Sequence, residues 1–170
     1  MTIGAGLHKF ALTAHVISSV GLLGSIAAFL ALAAAGLTSQ DERTVRAAYL
    51  AMELIAQFVI VPLSFASLVT GLIQSCYTRW GLLRYYWVLV KLLLTLFATA
   101  VLLVEMELIG YAARLVEETT LPAVELRAAG VQLVVHSAGG LLVLLMAAVL
   151  SVYKPPGLTR YGRRRQYEAA

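Results

Sequence analysis

The residues of this sequence that could do chemistry are ionisable and polar side chains placed inside long apolar stretches. A neutral imidazole can ligate iron or another metal, carboxylate and amide oxygens bind cations, and a lysine ammonium can pair with an anion or handle protons. Such groups are costly in apolar surroundings, so each is a candidate for a functional site. The alternatives are that Lys91 and Glu105 snorkel to the interface and that His15 and His136 only bond a neighbouring helix. The candidates are His15, Glu53, Gln57, Lys91, Glu105 and His136.

The stretches that position these residues predict a membrane protein. Of the 170 residues, 61% are hydrophobic and 13% charged, whereas a soluble domain carries about a quarter charged residues. Four apolar runs each exceed the ~20 residues that cross a bilayer as a helix, and they lack the alternation of barrel strands. We therefore predict an all-α, polytopic four-transmembrane-helix bundle whose first partner is the lipid bilayer.

The predicted bundle is a single transmembrane domain over residues 1–170. Its helices are expected at about 9–37, 40–75, 83–113 and 121–153, followed by a basic tail over 154–170. A cleaved signal peptide is an alternative for the first stretch, because Ala31-Leu32-Ala33 resembles a cleavage site. The apolar run is about twice as long as a normal signal sequence, which favours a membrane span.

Charge asymmetry between the loops predicts the orientation. With four spans, the N-terminus, the second loop and the tail share one side, and Lys and Arg accumulate on the cytoplasmic side of a membrane. We expect a bacterial inner (plasma) membrane protein with both termini in the cytoplasm. The residues on the tail side are Lys9, Arg79, Arg84, Lys154, Arg160, Arg163, Arg164 and Arg165, against Arg43, Arg46, Arg114 and Arg127 on the other.

The basic tail has two interpretations. Arg163, Arg164 and Arg165 resemble a nucleic-acid patch, but a basic cluster just past a membrane span more often touches anionic lipid. We expect anionic lipid and no nucleic acid as the partner. A homo-oligomer is open, since small four-helix bundles often self-associate and nothing in the sequence fixes a number.

Each predicted helix carries one stripe of polar or small residues at ~100° per residue, and lipid cannot solvate these groups. The stripes must therefore face one another along a polar axis.

Two local signals concern the second predicted helix. Ser39-Gln40-Asp41-Glu42 is typical of a capping box at the start of helix 2, and Pro62 should kink that helix within the membrane.

Depth along the helices divides the candidates into two groups. At ~1.5 Å per residue, His15 and Lys91 both fall in the inner leaflet. Glu53 and His136 fall in the outer leaflet, with Glu105 nearer the rim. This arithmetic argues against a haem held between two axial histidines, because His15 and His136 differ in height by well over ~10 Å, so a haem would need one histidine ligand or a partner other than histidine.

A resemblance to known families rests on two runs, from His15 to Gly24 in helix 1 and from Trp80 to Leu92 in helix 3. They look like an uncharacterised bacterial family of predicted four-helix membrane proteins. More distantly, they are similar to the copper-resistance D membrane family and to the membrane protoporphyrinogen oxidase of haem biosynthesis. In the latter, a first-helix histidine and a third-helix lysine are functional, and they map onto His15 and Lys91. Where a further histidine is expected, this sequence has Glu105.

Three functions remain open. The first is a haem- or porphyrin-associated protein, with haem b ligated by His15 and a propionate paired with Lys91. The second is a small transport or metal-handling protein in which Glu53, Gln57, Glu105 and His136 bind a cation. The third is a scaffold subunit. Enzyme activity is left undecided, although the sequence shows no activated nucleophile, phosphate loop or zinc signature.

Overall fold

Helices make up the computed structural model of the chain, which describes residues 5–77, 81–117 and 123–167. Within these ranges no strand forms. The predicted start of the fourth helix, near residue 121, lies outside them. The elements are α1 (Ala5–Thr38), α2 (Glu42–Ile55), a π-helical turn (Ala56–Ile60), α3 (Val61–Tyr77), α4 (Tyr86–Glu117), α5 (Ala123–Tyr153) and α6 (Arg160–Tyr167).

Four of these helical spans are long and apolar enough to cross a membrane. They are Lys9–Thr38, Glu42–Cys76, Tyr86–Glu117 and Val124–Tyr153, with mean hydropathies of 2.2, 1.9, 2.4 and 2.3. Large apolar side chains cover the outside of the bundle, among them Val104 at 73% exposure and Phe97 at 65%. Such a surface suits hydrocarbon rather than water. The predicted all-α four-helix fold class is confirmed.

The four spans pack in a ring in chain order. α1 contacts the second span and α5, while α4 contacts the second span and α5 from the other side. We call the end of the bundle at the starts of α1 and α4 the tail end, because α6 also lies there. The other end, at the α1–α2 connection, is the opposite end. Antiparallel neighbours of this kind follow from the short connections between spans.

The tightest packing lies toward the opposite end and centres on Tyr49. This side chain is 1% exposed, and its hydroxyl donates to the Leu126 carbonyl oxygen at 3.3 Å, which links α2 to α5 across the ring. Two glycines leave room for the ring. A Cβ on Gly36 would stand 2.9 Å from Tyr49 Cε2, and one on Gly130 would collide with the Tyr49 hydroxyl.

A π-helical turn divides the second span just before Pro62. Proline has no N–H, and its ring clashes with the carbonyl four residues earlier, so an α-helix cannot continue unchanged through it. The chain adapts by widening one turn, in which the Val61 N–H bonds the Ala56 carbonyl oxygen. The extra residue shifts the faces of the helix. Ala56 and Ile60 are buried, and Gln57 is exposed.

The start of α2 is capped by Asp41 rather than by the predicted capping box. The Asp41 carboxylate accepts from the amides of Arg43 at 3.3 Å and Thr44 at 3.2 Å, and from the Thr44 hydroxyl at 2.7 Å. Ser39 instead accepts from the Asp41 amide. The prediction of Ser39 as the cap was wrong by two residues, because aspartate is an equally good cap and stands directly before the helix.

The basic tail folds back on the connection before α4. The Thr159 hydroxyl donates to the Leu83 carbonyl oxygen at 2.6 Å, and the Thr159 amide donates to the Arg84 carbonyl oxygen at 3.0 Å. Thr159 also caps α6, since its side-chain oxygen accepts from the Gly162 amide. Tail and second loop thus share one end of the bundle, and α6 was not predicted.

We expect Gly130→Ala to destabilise the protein by about 1–3 kcal/mol, the usual cost of overpacking. The new methyl would strike the Tyr49 hydroxyl, so Tyr49→Phe should restore much of the loss. Unfolding in mixed detergent micelles, followed by circular dichroism, measures both effects. Gly139→Ala is the matched control, because a Cβ there meets nothing within 4 Å. Equal stability of the two alanine variants would contradict this packing.

The Asp41 cap should make stability pH-dependent. Hydrogen bonds from the Thr44 hydroxyl, the Thr44 amide and the Arg43 amide hold the pKa of the Asp41 carboxyl below its ordinary value. A lowered folded-state pKa stabilises the fold above the unfolded-state pKa, and this contribution is lost as pH falls through the folded-state pKa. Asp41→Asn keeps a neutral cap. Thermal unfolding measured from about pH 5 downward should therefore show that this variant loses less stability in acid than the unaltered protein.

The control for the cap is Glu42→Gln, which changes the neighbouring carboxylate but none of these three bonds. Its loss of stability in acid should match that of the unaltered protein. If Asp41→Asn loses as much stability in acid as Glu42→Gln, Asp41 does not carry the effect.

Candidate functional site

A series of hydrogen bonds joins α1 to α3 in the tail-end half. Gln74 donates to the Ala11 carbonyl oxygen at 3.0 Å, and Ser19 and Ser67 share a hydrogen bond of 2.9 Å. Along α1, His15 lies between these two hydrogen bonds. The four-residue spacing of Ala11, His15 and Ser19 puts them on one face of α1, as the stripe predicts.

His15 turns its ring against α3. Its Nδ1 lies 3.1 Å from the Ser67 carbonyl oxygen and 3.1 Å from Thr70 Oγ1. The Thr70 hydroxyl donates to the Ala66 carbonyl oxygen, so both partners of Nδ1 accept and Nδ1 must carry the proton. Gly71 lets the ring approach, since a Cβ there would stand 3.1 Å from Cε1. Nε2 makes no hydrogen bond to the residues that the structure describes.

Lys91 reaches the other way, toward α5. Its Nζ donates to Ser151 Oγ at 2.7 Å, and the Ser151 hydroxyl donates to the Ala147 carbonyl oxygen at 2.7 Å. The Lys91 ammonium is near enough to His15 that its charge acts on the imidazole, as a repulsion of the protonated ring. The two residues predicted for the inner leaflet therefore share one neighbourhood, but each bonds a different helix.

The second group centres on Glu105, which is 8% exposed. Its Oε1 lies 3.0 Å from His136 Nδ1 and accepts from Gln132 Nε2 at 3.1 Å. Its Oε2 is buried and has no hydrogen-bond partner among the described residues. His136 and Gln132 stand one turn apart on α5, so a single carboxylate on α4 reaches both.

Glu53 and Gln57 do not join this pair. Glu53 Oε1 lies 3.6 Å from the position of a Cβ on Gly110, and Arg114 Nη1 lies 3.5 Å from the same point. Glu53 thus faces α4 one to two turns beyond Glu105. Gln57, turned outward by the π-helical turn, is exposed. The predicted four-residue group is divided, with Glu105 and His136 together.

The Glu105 group pairs an acid with a base. Across the described ranges, no three His, Cys, Asp or Glu side chains come close enough to hold a metal ion together. At 3.0 Å, Glu105 Oε1 and His136 Nδ1 are within hydrogen-bond distance, and either group can carry the proton between them.

Two polar partners were missing from the predicted site. Gln132 stands four residues before His136 on the same stripe, so its helical spacing carried the signal. Ser151, the acceptor for Lys91, stands on the same stripe, but serines are common where membrane helices pack, so its type did not mark it as a site residue. On the tail, Arg163 and Arg164 are exposed, and the Arg165 side chain lies outside the described part.

Comparison of the chain with models of protein families, with curated proteins and with solved structures found no match. The class of this protein therefore rests on its fold and its two polar sites. It is a multi-pass helical membrane protein with two polar sites inside one bundle.

Proposed function

We propose that the protein is a small ion-handling membrane protein that binds and passes protons at the Glu105 and His136 pair. The observation that carries this proposal is the contact of 3.0 Å between these side chains inside membrane-length helices. A structural role alone does not require an acid there, since a neutral glutamine pair would hold α4 to α5 at lower desolvation cost.

The free oxygen of Glu105 supports the same conclusion. A buried carboxylate oxygen without a partner costs about 1–3 kcal/mol or more when charged. Adding a proton to Oε2 removes the charge and turns that oxygen into a donor. Gln132 holds Oε1 in either state. In this proposal, Oε2 is the atom that takes up and releases the proton.

A route for protons leads from this pair toward the opposite end. Gly110 lies five residues beyond Glu105 on α4, a rise of ~7.5 Å, and the Glu53 carboxylate faces it. Arg114, four residues further, is exposed. These polar groups would connect the pair to water at the opposite end. His136 is itself 41% exposed along its side chain, so the imidazole can change partners.

The orientation proposed from loop charge places this route on the outer side. Both termini would lie in the cytoplasm of a bacterial cell and the chain in its inner membrane, by the excess of Lys and Arg at the tail end. Protons would then reach the pair from outside. The tail arginines, Arg163 to Arg165, would meet the anionic lipid of the inner leaflet.

The proton role predicts a specific infrared signature. On acidification, the difference spectrum of the purified protein should show a protonated carboxyl band that Glu105→Gln removes and His136→Ala shifts. In liposomes carrying a pH-sensitive dye, Glu105→Gln should slow proton flux about 10²-fold, the lower end of the effect of a positioned proton-transfer group.

The matched control is Glu107→Gln, an exposed carboxylate two residues away on α4, which should change neither signal. Calorimetric titration with copper, zinc and manganese separates the metal alternative. Metal binding that Glu105→Gln and Glu53→Gln both weaken, without proton flux, would replace the proton role by a metal-handling one. If Glu105→Gln keeps both the carboxyl band and the proton flux, the scaffold role is the one that remains.

Haem association at His15 is a second candidate. Donation from Nδ1 to the Ser67 carbonyl fixes the ring with Nε2 unprotonated, which is how ligating histidines are usually held. Haem b would have His15 as its histidine ligand. Lys91, close to His15, would pair with a propionate. The bound group would supply redox or ligand-binding chemistry.

An absorbance spectrum tests the haem candidate. After expression with ample haem, the purified protein should show a Soret band that His15→Ala abolishes and His136→Ala leaves intact. The two histidine variants control for each other, because each removes one imidazole from a different site. A spectrum without a Soret band, or one lost only in His136→Ala, would end this candidate.

A further inference from the structure

Lys91 is a positive charge inside the bundle with no carboxylate to neutralise it. Its Nζ bonds Ser151, and no described Asp or Glu lies within ion-pair distance of it. An ammonium has three N–H donors, so two are left over. A charge in this position is expensive unless it is paired or reaches water or headgroups.

The Ser151 hydroxyl does not supply the missing charge. It is polarised by its own donation to the Ala147 carbonyl oxygen, and the carbonyl end of α5 attracts a cation. These are partial charges, so the site keeps close to one full positive charge. The neighbouring His15 adds none that is negative.

The whole tail end of the chain is short of acids. In sequence, the carboxylates Asp41, Glu42, Glu53, Glu105, Glu107, Glu117, Glu118 and Glu125 belong to the opposite half, and Glu168 alone belongs to the tail end. With Lys91, nine of the 13 Lys and Arg residues belong to the tail end. Because no described carboxylate neutralises Lys91, an anion from outside the chain is the counter-ion that fits it.

The depth of Lys91 and its exposure both allow an outside counter-ion to reach it. Lys91 stands five residues after the start of α4 at Tyr86, about 7.5 Å into the bundle, which is the depth of lipid phosphates and glycerol rather than of the bilayer centre. From Tyr86 to Val104, Val88 is the one buried residue of α4. Lys91 itself is partly exposed, so a group from the surrounding lipid or water can reach its ammonium.

We propose that Lys91 and Ser151 form an anion site between α4 and α5 that binds a phosphate group. The phosphate oxygens accept the two remaining N–H groups of Lys91, which are charge-assisted hydrogen bonds of the strong kind. An acidic glycerophospholipid or free phosphate would provide the same group. The site is separate from the Glu105 pair, and its occupation does not depend on the proton role.

Native mass spectrometry of the detergent-purified protein tests the site with three probes. These are phosphatidylglycerol, phosphatidylcholine with the same acyl chains, and inorganic phosphate. We expect phosphatidylglycerol to bind about tenfold more tightly than phosphatidylcholine, in keeping with one charge-assisted contact. Lys91→Gln should remove this preference, and Ser151→Ala should weaken it.

Lys9→Gln is the matched control, because it removes an exposed lysine from the same end of the bundle and should keep the preference. Competition by inorganic phosphate would assign the site to free phosphate, and its absence would assign it to lipid. Circular dichroism checks that each variant is folded. A preference that survives Lys91→Gln but is lost in an Arg163→Gln, Arg164→Gln variant would place lipid recognition on the tail and overturn the proposal.

Discussion

The hydrocarbon around the bundle offers no hydrogen bonds, and the remaining features follow from that constraint. A polar side chain in the spans therefore finds its partners on its own or a neighbouring helix. The α1–α3 contacts meet this requirement in part, since Gln74 bonds a backbone carbonyl and His15 Nδ1 bonds the carbonyl of Ser67. Small residues such as Gly71 make these bonds possible, because they bring the two backbones close together.

Two charged side chains carry the proposals, because the described residues meet their requirements incompletely. Glu105 keeps one buried oxygen without a partner, and Lys91 has no described carboxylate within ion-pair distance. Helix packing alone would favour neutral residues at both positions. Both positions are therefore consistent with ligands or protons that come and go.

The sequence predicts the helices well, because spans are set by hydropathy and length, which are local properties. It also predicts that the stripes face inward, as His15 and Glu105 show. It fails for Gln57, since the widened turn before Pro62 changes which face each residue occupies. The grouping of Glu53 with His136 rested on height along the helix axis. Which neighbour a side chain meets depends on rotation and packing, and these are properties of the assembled bundle.

The two incomplete sites also divide the molecule by charge. Carboxylates gather in the half that contains Tyr49 and Glu105, and cations gather in the half that contains Lys91. In the first half, the buried Glu105 carboxylate meets the exposed His136 imidazole at 3.0 Å, a separation that the proposed proton transfer requires. In the second half, Lys91 is partly exposed, so the proposed anion can reach it from the surrounding lipid. The two proposed sites therefore use opposite charges in separate halves of one bundle.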